Sequence, residues 1–138
     1  MAYNLLSTDC IVCAVMDARC SQVYNALFEI KNGVVTRLCD DRALSLDDLK
    51  NELLSVDGRI IIAGDCTDIT CKYIGNEIKN AESAPVNLKY QRASSTALVA
   101  FEMINNGQTV SAQELMPVYL RLPQAQRELN KKLGGRTK

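Results

Sequence analysis

Ile11-Val12-Cys13-Ala14-Val15-Met16-Asp17-Ala18-Arg19, then Val23-Tyr24-Asn25-Ala26-Leu27-Phe28-Glu29-Ile30, then Asn32-Gly33 and Val34-Val35-Thr36-Arg37-Leu38, is the stretch that decides the fold. The first run is apolar on both faces, which places it centrally in a sheet covered on both sides. Asn-Gly between apolar runs is the strongest short-range hairpin signal, because both turn residues accept positive φ. The three runs therefore read as an antiparallel meander.

Outward from the meander, Ser45-Leu46-Asp47-Asp48 resembles a capping box, with Asp48 in the place usually held by Glu. Leu46, Leu49, Leu53 and Leu54 follow at helical spacing, so residues 46–54 form an amphipathic helix whose early acids suit the dipole. Asp57-Gly58 turns the chain into Arg59-Ile60-Ile61-Ile62-Ala63, a buried β-branched run. A helix between strands is a crossover, so this strand runs parallel to a meander strand. The spacing predicts a further helix over about 68–79, with Ile74, Ile78 and Tyr73 in the core. Residues 80–85 read as a polar connection, and Val86-Asn87-Leu88-Lys89-Tyr90 as a short edge strand or an extended linker. Ser94 or Ser95 caps a helix carrying Ala97, Leu98, Phe101 and Ile104, which Asn106-Gly107 ends. Ser111-Ala112-Gln113-Glu114 is a regular capping box, and prolines hold 117–123 extended. Pro123 opens a terminal helix over 123–132. Residues 1–133 are thus one domain and 134–138 a disordered tail. At the other end Ala2-Tyr3-Asn4-Leu5-Leu6 reads as the last turns of a helix.

The chain is long enough, at 138 residues, to bury one real core. Sixteen basic and sixteen acidic residues cancel, so no global field recruits nucleic acid or membrane. The charges are unevenly spread: six acids lie within residues 40–57, and six bases from 117 onward. No apolar run is long enough to span a bilayer, and the expected location is the cytoplasm. Six cysteines with no secretory signal are expected as reduced thiols. Cys10 and Cys13 make a C-x-x-C, but strand alternation sends them to opposite faces, poor geometry for a metal knuckle. Cys66 and Cys71 are expected to flank a loop.

Candidates for chemistry are few. The chain contains no histidine, which removes the commonest general base and imidazole ligation. Asp17, at a strand end, has the chemistry of a base or a metal ligand, and Arg19 that of an anion clamp. Gly64-Asp65 lies where a strand gives way to a helix, the place where helix amides hold anions in α/β sheets. Against these stand plain turn roles for all four residues. Neither a P-loop nor G-x-G-x-x-G occurs. No catalytic residue, cofactor or metal site is assigned.

These residues resemble a family. Residues 15–19 with 22–28 resemble the "DARR-x-EVY-x-A-x-Y" stretch of the bacterial TsaB (YeaZ) family, and Ser45-Leu46-Asp47-Asp48-Leu49 its next helix. Ile62-Ala63-Gly64-Asp65 resembles its "VGDG" strand end, and Pro117-Val118-Tyr119-Leu120-Arg121 its "P-x-YLR" segment. The blocks run in family order, with Cys20 in place of a second arginine and Cys66 in place of glycine. The resemblance covers only the family's C-terminal half; its "LALDTS"-type phosphate motif has no counterpart. It implies an α/β, ribonuclease-H-like half-domain of the actin-like superfamily, a meander extended by a parallel strand and packed with helices. It also implies a non-catalytic scaffold that activates a TsaD-like subunit in making threonylcarbamoyladenosine beside the tRNA anticodon. The implied partners are that subunit and a TsaE-like ATPase, met mainly through the absent half, with a possible homodimer and only indirect contact with tRNA. The alternative is a nucleotide-binding or glycoprotease-like enzyme domain using Asp17 and Gly64-Asp65.

Overall fold

The computed structural model describes residues 1–121. The expected helix over 123–132 and the tail 134–138 lie outside them. The meander is β1 (Cys10–Asp17), β2 (Gln22–Lys31) and β3 (Val34–Arg37), antiparallel throughout. Asn32 and Gly33 turn between β2 and β3 with φ of 50° and 75°, and the Asn32 N–H donates to the Asp9 carboxylate at 2.9 Å. Both positive angles are what an Asn-Gly hairpin demands.

A fourth strand escapes the sequence reading. After β3 the chain bulges and returns to the same edge of β2 as β4 (Arg42–Ser45). Phe28 pairs with Arg37 and Asn25 with Arg42, so three steps along β2 face five along the other side. The Leu27 backbone is satisfied within the bulge: its carbonyl accepts from Leu38 N–H at 2.8 Å, and its N–H points to Cys39 Sγ at 3.2 Å. Helix α1 (Leu46–Leu53) follows at once, capped as expected by the Ser45 hydroxyl, which accepts from Asp48 N–H at 3.0 Å.

Strand β5 (Ile60–Ala63) lies parallel to β1, with Ile11 opposite Ile60 and Ala14 opposite Ala63. Helix α2 (Thr67–Ile74) is shorter than the spacing suggests, because Gly75 takes φ 55° and ends it. Ile74 and Ile78 are still buried, but Tyr73 is half-exposed, its hydroxyl bonded to Asp47. Cys66 and Cys71 belong to the start and body of this helix rather than to a loop. The supposed polar connection contains a short edge strand, β6 (Ala81–Ser83), parallel to β5; residues 86–90 form no strand. The sheet order is β3-β2-β1-β5-β6, a mixed α/β, ribonuclease-H-like arrangement.

Alternation splits the core between two sheet faces. Cys13, Val15, Val23, Leu27, Ile60 and Ile62 pack with Leu46, Leu49 and Leu53 of α1 and with Ile74 and Ile78, every one below a tenth exposed. Burying each such large side chain contributes roughly 1.5–3 kcal/mol before ordering costs. The other face holds Cys10, Val12, Ile30, Ile61 and Ala63 against Ala2 and Leu5. Cys10 and Cys13 therefore sit on opposite faces, as alternation requires. The expected N-terminal helix is a single 3-10 turn (Ala2–Asn4). Helix α3 (Ala93–Asn105) crosses near that turn and buries only Ser95. Neither Ser94 nor Ser95 caps it; Arg92 holds the cap position, and Ser95 lies one turn inside, donating to Asn4 Oδ1 at 2.6 Å.

Candidate functional site

Parallel pairing sets the carboxyl ends of β1 and β5 side by side, and so brings Asp17 and Asp65 together. The Asp17 N–H donates to Asp65 Oδ1 at 3.0 Å, and Asp17 Oδ1 in turn accepts from Arg19 N–H at 2.6 Å. One oxygen of each carboxylate thus accepts from a backbone N–H, Asp65 across to β1 and Asp17 within its own turn. Gly64 has φ 133°, and a Cβ there would stand 1.8 Å from the Val15 carbonyl oxygen. Only glycine fits, because β5 must leave the sheet hard against β1. Its role is close approach of backbone to backbone.

The turn after Asp17 is strained. Arg19, Cys20 and Ser21 take φ of 61°, 56° and 56° in succession, each conformation costing a non-glycine residue about 1–2 kcal/mol. Several bonds hold it. Ala18 N–H donates to Gln22 O at 3.1 Å, Leu46 N–H to Ser21 O at 3.3 Å, and the Arg121 guanidinium to Arg19 O at 3.4 Å. All four sequence candidates, Asp17, Arg19, Gly64 and Asp65, therefore meet at one end of the sheet as turn builders. Among the described residues, no group of three or more Cys, Asp or Glu is placed to hold a metal ion.

Four of the thiols are shielded by burial. Burial pushes Cys13 up to about 12, with Asn25 Nδ2 3.4 Å from its sulfur. Burial also raises Cys10, Cys66 and Cys71. All six cysteines are free, and Cys20 is exposed in the strained turn.

Sequence reading misses a concavity. A cavity of about 530 Å3 opens on the sheet face opposite α1 and α2, between the strands and residues 118–121. Its floor is Ala14 and Ala26, direct cross-strand partners, with Met16 and Tyr24 on one side and Phe28 on the other. Two small residues facing one another between large pairs make a dent in the sheet. That pairing was the available signal, and it needs the β1–β2 register to be seen. Met1, Asp41, Gln91, Val118, Tyr119 and Arg121 form the rim and roof.

No family profile and no curated protein matches this sequence. Solved structures do. One is described as an uncharacterized protein with similarity to peptidase YeaZ from Pseudomonas aeruginosa; it matches 87% of this chain at 19% identity with a TM-score of 0.58. Another, YeaZ from Pseudomonas aeruginosa, matches 81% at 20% identity with a TM-score of 0.57. The fold is YeaZ-like. This chain spans about half of the YeaZ-like chains, 54% and 50% of their lengths.

Proposed function

We propose that this chain is a non-catalytic subunit domain of the machinery that makes threonylcarbamoyladenosine in tRNA, a scaffold and activator for a TsaD-like catalytic subunit. The observation that carries the reading is the fate of Asp17 and Asp65 in a YeaZ-like fold: Asp65 ties the end of β5 to the Asp17 N–H at the end of β1, and Asp17 closes its own turn on the Arg19 N–H. Gly64 supports it, since its lack of a side chain is accounted for by the close approach of the Val15 carbonyl. Contact with tRNA is indirect in this reading. Arg37, Arg42, Lys50, Arg59 and Lys89 are each paired with a carboxylate at 2.5–2.8 Å, which leaves those cations poorly placed for phosphates. Work beside tRNA places the domain in the cytoplasm, and among the described residues no helix is long and apolar enough to cross a membrane. The TsaD-like subunit and the TsaE-like ATPase meet this domain together with the half of the YeaZ length it does not span.

Two measurements test this. Titration with ATP and magnesium should leave thermal stability flat; a nucleotide at a hundred times its dissociation constant would add about 2.7 kcal/mol, and such a rise would restore the enzyme reading. In a tRNA modification assay with TsaD-like and TsaE-like proteins, this chain should stimulate transfer only when the other half of a YeaZ chain is supplied as a separate polypeptide. Stimulation by this chain alone would overturn the assignment of partner contacts to the other half. Stimulation in neither arrangement would overturn the scaffold role.

A further inference from the structure

Three alanines cross the sheet in a row. Ala26 of β2 pairs with Ala14 of β1, and Ala14 with Ala63 of β5, so their methyl groups lie on one face of three neighbouring strands. The rows on either side are large, Met16 paired with Tyr24 on one and Val12 with Phe28 on the other. Small residues between large ones cut a slot across the strands, and the cavity of about 530 Å3 is this slot beneath residues 118–121. Tyr24 and Phe28 are four residues apart on one strand, about 13 Å at the extended rise, so they stand as opposite walls. The Arg37 guanidinium lies 4.7 Å from the centre of the Phe28 ring and steadies that wall. At the Ala63 end the slot is closed, with Ala63 fully buried and Met1 in the lining. The other end reaches Asp41, in the bulge between β3 and β4.

Charge and shape narrow the occupant. The polar side chains of the rim are engaged within the protein: Asp41 accepts from Arg37 at 2.8 Å, Arg121 donates to the Arg19 carbonyl at 3.4 Å, and the Gln91 amide to the Met16 sulfur at 3.5 Å. A charged ligand would give up its water for groups that already have partners, a costly exchange in an apolar site. What the slot presents is methyl groups on its floor and aromatic rings and a thioether on its walls. Rings are best met by other rings, edge-on or offset. The volume lies in the ordinary range for small-molecule sites, about 300–1,000 Å3, and an apolar cavity of only about 150 Å3 already takes up benzene.

We propose that the slot over Ala14 and Ala26 is a binding site for an uncharged, flat, bicyclic aromatic small molecule, with the chemistry of indole. It rests on the register and lining of the sheet and not on the tRNA reading.

Indole itself is the probe. The chain contains no tryptophan, so emission excited beyond the tyrosine band comes from the probe alone. Titrating the full chain into indole should shift its emission to the blue and saturate with a Kd below about 1 mM. Indole-3-acetate and tryptamine, its anionic and cationic relatives, should bind at least tenfold more weakly, and so should cyclooctanol, uncharged but not flat, measured by displacement of indole. Ala14→Leu, which raises the floor, should weaken indole at least tenfold, whereas Val34→Leu, at an exposed site on β3, should leave it unchanged. Emission that never saturates overturns the proposal, as does a charged relative or cyclooctanol that binds as tightly, or unaltered affinity in Ala14→Leu. Should Ala14→Leu unfold by circular dichroism, methyl NMR of the unaltered protein decides: indole must shift the Ala14 and Ala26 methyl resonances more than that of Ala97 on α3, and equal shifts overturn the site.

Discussion

The two faces of the central sheet are built to different standards. Against α1 and α2, Leu49, Leu53, Ile60 and Ile62 are 0% exposed, and apolar side chains of two helices interlock with three strands. On the opposite face a single 3-10 turn, with Ala84 and Leu88, covers part of the sheet, and the 530 Å3 cavity remains. Both faces derive from the same strands and differ only in which alternate residues they present. The difference teaches that the two faces need not be equally sealed: α1 and α2 close one throughout, whereas the other is closed over Val12, Ile30, Ile61 and Ala63 and open over Ala14 and Ala26.

That contrast breaks or sharpens under substitution. Leu49→Ala on the sealed face should lose roughly 3–4 kcal/mol in urea unfolding, whereas Phe101→Ala on α3, measured at dilution, should change stability by less than about 0.5 kcal/mol. Equal losses would mean that α3 is packed into the fold. Gly64→Ala should cost roughly 3 kcal/mol, because a Cβ must displace the Val15 carbonyl and φ 133° suits only glycine. A near-neutral result would show that β5 does not press on β1 there.

Alkali should find the sealed face through Cys13. Its thiol sits near 12 in the fold against an ordinary 9.0, so from pH 9 upward the unfolded chain gives up a proton that the folded chain keeps. The contribution of Cys13 to stability is therefore constant below pH 9 and falls by about 1.4 kcal/mol per pH unit above it, until the folded thiol also ionises. Cys13→Ala, although destabilised at neutral pH by its cavity, should show a shallower fall in the urea midpoint between pH 9 and 11. An unchanged slope would remove Cys13 as the cause. The smallest effect is expected at Ala14, whose side chain floors the cavity: Ala14→Val should cost less than about 0.5 kcal/mol. Overpacking a sealed core usually costs 1–3 kcal/mol, and a loss of that size would mean that the dent is filled.

Much of this was legible in the residues. Asn32-Gly33 dictated the hairpin, the doubly apolar 11–16 and 60–63 dictated central strands, and Ser45 to Asp48 dictated the start of α1. What escaped depends on backbone pairing rather than side-chain pattern. Arg42-Ala43-Leu44-Ser45 carries little strand signal behind Asp40-Asp41, and it becomes β4 because β2 is long enough to hold two partners on one edge. Ala81-Glu82-Ser83 is polar and joins as an edge strand through β5. At the site, Asp17, Arg19, Gly64 and Asp65 were visible as loop residues. Their meeting required β1 and β5 to be neighbours, and the steric reason for Gly64 required a distance. The outward turn of α3 was the least legible feature, since Ala97, Leu98, Phe101 and Ile104 look like any core stripe until Ser95 is seen to face inward.

Amide hydrogen exchange at low micromolar concentration tests the separation of the two faces most directly. Amides of β1, β2 and β5 should exchange only through global unfolding, while those of α3, with few buried contacts to lose, exchange at least a hundredfold faster. Protection of α3 equal to that of β1 would contradict the account and make the helix part of the core.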